Sequence, residues 1–120
     1  METAQAIDAL AALAQRSRLA IYRLLMQAGP QGQAAGAIAD KLQLPPATLS
    51  FHLAHLARAG LVRGRQEGRF VIYSADFDNM NALVAYLTEN CCSGAACAPA
   101  TCQSAASRRS TTRRRVPAKA

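Results

Sequence analysis

The chain has 120 residues, 51% of them hydrophobic and only 5% aromatic, and its many Ala and Leu residues favour one domain with a helical core over a β-sandwich. It has no apolar run near the roughly 18 residues that a membrane span needs and no basic signal-peptide start, so we expect a cytoplasmic protein without membrane contact. The net charge of +7 comes mainly from six basic residues among the last thirteen positions, so charge alone does not identify a nucleic-acid-binding domain in the remainder.

Apolar residues at helical spacing predict three helices in the first 42 residues. In helix 1, the residues at helical spacing are Ile7, Leu10 and Leu13 or Ala14. Ser17 is a common cap residue and predicts the start of helix 2, which the Gly-Pro pair at 29–30 ends. The expected ranges are 4–14 for helix 1, 17–28 for helix 2 and 34–42 for helix 3.

Pro46 suits the first position of a fourth helix, because that position needs no backbone N–H, and Gly60 suits the end of this helix. A stripe of Leu49, Leu53 and Leu56 is expected to face the core. Two short strands joined by a tight, charged turn follow, and a fifth helix comes after them. The expected ranges are 46–59 for helix 4, 61–65 and 70–74 for the strands, and 76–90 for helix 5.

The order of these elements predicts a mainly α (α+β) fold, a winged helix-turn-helix with helices 1 to 4, a two-stranded wing and helix 5. In this arrangement the second helix of the motif enters the major groove of DNA. We expect residues 1–92 to form the DNA-binding domain. Residues 93–120 have no hydrophobic period, so we expect a disordered tail apart from a cysteine loop. The arginines of this tail either add nonspecific phosphate contacts or only keep it soluble.

With the leucine stripe toward the core, the other sides of helix 4 become candidates for contacts with DNA bases and phosphates. The wing adds arginines beside its turn, which can reach phosphates or a minor groove. Double-stranded operator DNA is therefore the predicted partner. The candidate DNA-binding residues are Thr48, Ser50, Phe51, His52, His55 and Arg58 in helix 4, and Arg65 and Arg69 in the wing.

Phe51 is unusual on this surface, because a large aromatic side chain that faces solvent is disfavoured unless something covers it. It packs either on a thymine methyl or a DNA sugar edge, or on a neighbouring loop of the protein. His52 and His55 are three residues apart and resemble half of a metal site. Without a third ligand nearby, they fit a polar helix surface better.

All four cysteines lie in one window of twelve residues: Cys91, Cys92, Cys97 and Cys102. Clustered cysteines in a cytoplasmic chain indicate a soft-metal or redox site rather than a disulfide framework. An enzyme is not expected, because the sequence contains neither a nucleophile–base–orienter set nor a phosphate-binding glycine loop.

Three features carry a resemblance to a known family. They are the pattern S-x-H-L-x-x-L at 50–56, the pattern AGLV-x-x-R-x-EGR at 59–69, and the closing Tyr73. Together they resemble the ArsR/SmtB family of bacterial metal-responsive repressors, and the resemblance covers residues 13–87. It implies a homodimer paired through helices 1 and 5, two recognition helices that read a palindromic operator, and repression that a ligand relieves.

The resemblance also assigns positions. It places residues 65–69 in the wing and Thr48, Ser50 and His52 on the recognition helix. The Pro-Pro pair at 45–46 and Phe51 depart from the polar or basic residues that many members carry there. The operator sequence of another member therefore does not transfer to this chain.

Members of the family sense ligands in different places, and two of those places lack ligands here. Helix 3 contains no cysteine for an arsenic site, and no histidine follows residue 69 to complete a zinc site on helix 5. The run NALVAYLTENCC instead resembles an arsenite-responsive subgroup, whose sensing cysteines follow the last helix. The resemblance implies three thiolate ligands for As(III) or Sb(III): Cys91, Cys92 and Cys97, with Cys102 as an alternative third.

Other uses of these cysteines stay open. Four thiolates would match a zinc site by number, although adjacent cysteines suit its tetrahedral geometry less well than a Cys-x-x-Cys pair. A redox switch would use the same thiols. Cys91 would also extend the apolar stripe of helix 5 with no sensing role. A different class of function is an arsenic-binding carrier with a degenerate DNA-binding fold.

Overall fold

The computed structural model describes residues 1–94, and internal contacts divide the chain into a unit of Met1–Leu87 and a second unit that begins at Thr88. The predicted domain boundary after residue 92 falls within the second unit and stays a prediction. Among residues 1–94, no helix is long and apolar enough to cross a membrane. The elements are α1 (Thr3–Leu13), α2 (Arg16–Ala28), β1 (Gln33–Ala34), α3 (Ala35–Leu42), α4 (Pro46–Arg58), β2 (Val62–Glu67), β3 (Phe70–Ala75), α5 (Phe77–Thr88) and a single 3-10 turn (Cys91–Gly94).

The predicted winged helix-turn-helix is confirmed, and each predicted helix and strand ends within two residues of the observed one. Local hydrogen bonds and backbone conformations explain where the helices begin and end. The cap of α2 is Gln15 rather than Ser17, because the Gln15 side chain accepts a hydrogen bond from the Arg18 N–H at 2.8 Å. Pro46 is the first residue of α4, as predicted. Between α3 and α4, Gln43 has a left-handed backbone (φ 55°) that turns the chain.

The two predicted strands of the wing, β2 and β3, pair with each other, and they belong to a three-stranded antiparallel sheet in the order β1-β3-β2 whose third strand was not predicted. The additional strand, β1, pairs Gln33 with Tyr73 and Ala34 with Ile72. Gly32, just before it, has a φ of +76°, and a Cβ there would collide with the Tyr73 carbonyl oxygen. Only glycine therefore allows the loop to approach β3 this closely.

The core of the first unit is built from leucines and other apolar side chains of α1 to α5 and the wing. The leucine stripe of α4 is buried as predicted, with each leucine at most 2% exposed. This packing fixes the orientation of α4 about its own axis. The orientation in turn decides which of its side chains face solvent.

α1 buries its alanines rather than the larger apolar residues Ile7 and Leu10, which recur at the same helical spacing. The buried residues of this helix are Ala6, Ala9 and Ala12. α5 also leaves large apolar side chains outside, and a hydrogen bond between the hydroxyls of Thr3 and Tyr86 links the two helices. Four side chains, between 43% and 59% exposed, are named here the α1/α5 apolar set: Ile7, Leu10, Val84 and Leu87.

Candidate nucleic-acid interface

The open side of α4 carries small and hydroxyl side chains around one aromatic ring. The exposed residues in its first turns are Pro46, Ala47, Thr48, Ser50, Phe51 and Ala54. Thr48, Ser50 and Phe51 thus lie where the sequence places them. Small side chains let a helix approach base edges closely, and hydroxyls can bond to bases or phosphates.

Phe51 is the largest of these side chains, and 61% of it is exposed. Within residues 1–94, no loop therefore covers the ring, contrary to the alternative in which it packs on a neighbouring loop. The ring makes an edge contact with His52, with ring centroids 5.7 Å apart and an interplanar angle of 63°. An exposed aromatic ring is thus held against a neighbouring side chain on the open face of α4.

His52 is buried, with 8% of it exposed, which corrects its predicted place on an exposed flank of α4. Its Nδ1 lies 3.5 Å from Nη1 of Arg18. Arg18 is held in turn by a hydrogen bond from its Nε to the Ala12 carbonyl oxygen at 2.7 Å. Desolvation, and then the charges of Arg18 and His55, lower the pKa of His52 from its ordinary value of 6.5. His52 therefore helps to seat α4 on α2 as a neutral side chain, and offers little surface to DNA.

We expect the domain to lose stability as the pH falls below about 6.5, because protonated His52 would face Arg18. The folded state lowers this pKa, so the unfolded chain takes up the proton first. The free energy of unfolding is then highest above pH 6.5 and decreases as the pH falls toward the folded-state pKa. Urea unfolding at about pH 7.5 and about pH 5.5 measures this decrease.

The control for this prediction is His52→Gln, which keeps a polar side chain but removes the titration. We expect the loss of stability between the two pH values to be smaller in this variant than in the wild type. Equal losses in the wild type and in His52→Gln would contradict the assignment.

His55 and Arg58 lie near the C-terminal end of α4, on the side toward α1. With Asp8 and Ala11 of α1 and with Ala59, they line an open cleft of about 230 Å³. Arg58 is exposed and His55 is half-buried. Arg58 can reach a phosphate from this position. The DNA-binding role of both residues stays a prediction.

Arg65 is braced across the wing. Its Nε donates to the Glu67 carboxylate at 2.7 Å, and its Nη2 donates to the Gln31 carbonyl oxygen at 2.9 Å. Gln31 belongs to the loop before β1, so the sequence gives no local sign of this contact. The bonds hold the guanidinium group near the loop while 44% of the side chain stays exposed.

The wing presents further positive charge. Arg69 is exposed at the turn between β2 and β3. Arg63 lies 3.8 Å from the Asp76 carboxylate, and with Arg65 and Ser74 it lines an open cleft of about 330 Å³. Guanidinium groups and a hydroxyl at one cleft suit phosphate oxygens.

The cysteine cluster is described only in part. Cys91 is partly exposed and Cys92 is exposed, in the 3-10 turn that follows α5. Asn90 and Cys92 have left-handed backbones, with φ of 58° and 56°, which bend the chain here. Both side chains are thus open to a small solute. Cys97 and Cys102 lie outside the described residues, and their roles stay predictions.

A family model for a helix-turn-helix domain matches residues 13–65. The transcriptional activator HlyU of Vibrio cholerae is 33% identical over 85 residues, which cover 71% of this chain and 76% of HlyU. The solved structure of HlyU gives a TM-score of 0.60 at 33% identity, over 77% of this chain and 99% of that chain. A second structure, described as reduced HlyU, gives a TM-score of 0.60 at 32% identity, over 75% of this chain and 92% of that chain.

Two other solved structures are similar. One is the homodimeric winged helix-turn-helix DNA-binding domain of Mb0332 from Mycobacterium bovis, a possible ArsR-family regulator. Its TM-score is 0.57 at 32% identity, over 72% of this chain and 80% of that chain. The other is described as a possible transcriptional regulator for arsenical resistance. Its TM-score is 0.59 at 30% identity, over 67% of this chain and 80% of that chain.

Proposed function

The chain belongs to the ArsR/SmtB family of winged helix-turn-helix transcriptional regulators, and from this premise we propose that it is a homodimeric repressor that trivalent arsenic or antimony releases from its operator. It is a DNA-binding regulator and not an enzyme, and it acts in the cytoplasm. The observation that supports this inducer is the pair of adjacent thiols directly after α5, of which Cys91 is partly exposed and Cys92 is exposed.

Operator binding is supported by the open side of α4 and by the arginines of the wing. Thr48 and Ser50 offer hydroxyls, and Arg58, Arg65 and Arg69 offer positive charge to phosphates. Residues 1–107 carry 8 basic and 7 acidic side chains, so the affinity of this part depends on where its charges lie rather than on its net charge.

Dimer formation is supported by the α1/α5 apolar set. Large apolar side chains left exposed by a small domain are typical of an interface. The related domain of Mb0332 is described as homodimeric. A two-fold dimer would present two α4 helices to the half-sites of a palindrome about one helical turn apart.

The choice of inducer follows from thiolate chemistry. Soft thiolates select thiophilic centres, and As(III) or Sb(III) takes three of them. Cys91 and Cys92 supply two and Cys97 supplies the third, with Cys102 as its alternative. The similarity to a protein described as a possible regulator for arsenical resistance supports this ligand class.

Release requires that the ligand favour the state that does not bind DNA. The cysteines follow α5 in the chain, and α5 carries half of the α1/α5 apolar set. A ligand that reorganises the residues after α5 can therefore alter the dimer and the spacing of its two α4 helices. A release of about 100-fold corresponds to about 2.7 kcal/mol of coupling between ligand and operator.

Titration of an operator complex with arsenite tests the proposal. We expect the dissociation constant, followed by fluorescence anisotropy, to rise about 100-fold with arsenite or antimonite and to change little with zinc. A phosphine reductant keeps the thiols reduced, because thiol reductants themselves bind As(III). A complex that stays intact at saturating arsenite would contradict the inducer. Failure to bind any promoter fragment at low salt would favour the arsenic-binding carrier.

A thiol-redox response is the second candidate, and the relative described as reduced HlyU favours it. Exposed adjacent thiols are open to oxidation, so the same residues would serve. Diamide replaces arsenite in the same assay. Release by diamide that a reductant reverses, together with no response to arsenite, would establish this candidate instead.

A further inference from the structure

Among residues 46–54, the first turns of α4, Phe51 is the one large side chain that is exposed. It is 61% exposed, and exposed neighbours at helical spacing are Ala47, Thr48 and Ala54. An aromatic ring that is exposed to water is unfavourable, because burial of its apolar surface would lower the free energy. Because its neighbours are small, the ring projects from a surface that would otherwise fit closely into a DNA groove.

The ring of Phe51 is held by groups that the domain fixes. It meets the edge of His52, whose ring centroid is 5.7 Å away. His52 is buried beside Arg18, and Arg18 is bonded to the Ala12 carbonyl oxygen. Because these contacts restrict the ring before binding, less side-chain entropy is lost when it packs on a partner.

The sequence of α4 lacks the side chains that usually read guanine and adenine. Pro46–Arg58 contains no Lys, Asn or Gln, and its one Arg is its last residue. Guanine is typically read by Arg or Lys, and adenine by Asn or Gln. The hydroxyls of Thr48 and Ser50 discriminate little, because a hydroxyl both donates and accepts. In the major groove, an apolar side chain has one base-specific partner, the C5-methyl group of thymine.

We propose that Phe51 is the main base-reading residue of α4 and selects one thymine in each operator half-site by packing on its C5-methyl group. The inference rests on the operator binding proposed above, because α4 is the second helix of the matched helix-turn-helix domain. The operator then carries thymines at two symmetry-related positions. Burial of one methyl group contributes about fourfold in affinity at each half-site, and about 15-fold at both together.

The test uses the full chain and a duplex that the protein itself selects from a random-sequence library. Each thymine of that duplex is replaced in turn by deoxyuridine, which lacks only the C5-methyl group. We expect one thymine per half-site to be sensitive, with a loss of about fourfold for one replacement and about 15-fold for both. In Phe51→Ala the same replacements should change the affinity by less than about twofold. Because Phe51 is exposed and Ala favours helices, this variant keeps its fold.

The matched control is Phe70→Ala. Phe70 is 64% exposed and lies outside α4, so its loss should leave the deoxyuridine effect unchanged even if the overall affinity changes through the wing. A duplex without any sensitive thymine overturns the inference, and so does a sensitivity that persists in Phe51→Ala. A library from which no sequence is enriched contradicts operator binding itself, which separates the failure of the proposed function from the failure of this inference.

Discussion

Replacing Leu10 by Asp is expected to convert the dimer into monomers and to weaken operator binding about 100-fold. Leu10 is 43% exposed, so the monomer leaves room for a hydrated carboxylate, whereas a dimer interface would bury the charge without a partner. Loss of the dimer also separates the two half-site contacts, and linking two such contacts strengthens binding by about 100-fold or more. Sedimentation equilibrium measures the mass, and fluorescence anisotropy measures the affinity.

Leu19→Asp is the matched control. Leu19 is also 43% exposed, but it lies in α2, outside the α1/α5 apolar set. We expect this variant to stay dimeric and to bind the operator within about threefold of the wild type. Thermal unfolding of both variants separates loss of the dimer from loss of the fold. A Leu10→Asp protein that keeps the dimer mass would exclude α1 from the interface.

α1 shows what periodicity predicts and what it leaves open. The spacing identified the helix, but two stripes follow the same period, one of alanines and one that contains Ile7 and Leu10. Larger apolar side chains usually occupy the core, so residue size alone would favour the second stripe. In the structure the alanines lie inside and the larger residues lie outside. A single sequence does not separate a core from an interface between copies, because both are apolar.

The candidate site likewise has features that local spacing predicts and features that depend on distant residues. The leucine stripe of α4 was sufficient to predict that Thr48, Ser50 and Phe51 face solvent, because orientation on a helix follows from local spacing. The burial of His52 was missed although His52 lies three residues after Leu49 and four before Leu56, a spacing that places it on the buried side of the helix. Its contact with Arg18, which is 34 positions away in the sequence, carries no local signal. The contact of Arg65 with Gln31 also spans 34 positions.

The third strand was missed for a related reason. β1 has two residues, too few to show an alternating pattern, and it exists because β3 offers an edge to pair with. Gly32 is the available signal, since a glycine at positive φ marks a close approach of backbone to backbone. Its partner, Tyr73, becomes evident only in three dimensions.

Replacing Cys91 and Cys92 together by Ser is expected to abolish the response to arsenite. The wild-type operator complex should weaken about 100-fold with arsenite, and that of the double variant by less than about twofold. Serine keeps the size of the side chain but offers oxygen in place of the sulfur that As(III) prefers. Without arsenite the operator affinity should not change, because DNA binding is assigned to α4 and the wing.

Single variants then identify the third ligand. If Cys97 completes the site, Cys97→Ser loses most of the response, and Cys102→Ser keeps it and serves as the matched control. The opposite pattern would assign the third thiolate to Cys102. A double variant at Cys91 and Cys92 that still responds would contradict the arsenic site, because the two remaining cysteines of the chain cannot supply three thiolates. If that variant instead loses a response to diamide that the wild type shows, the same pair serves as the redox switch.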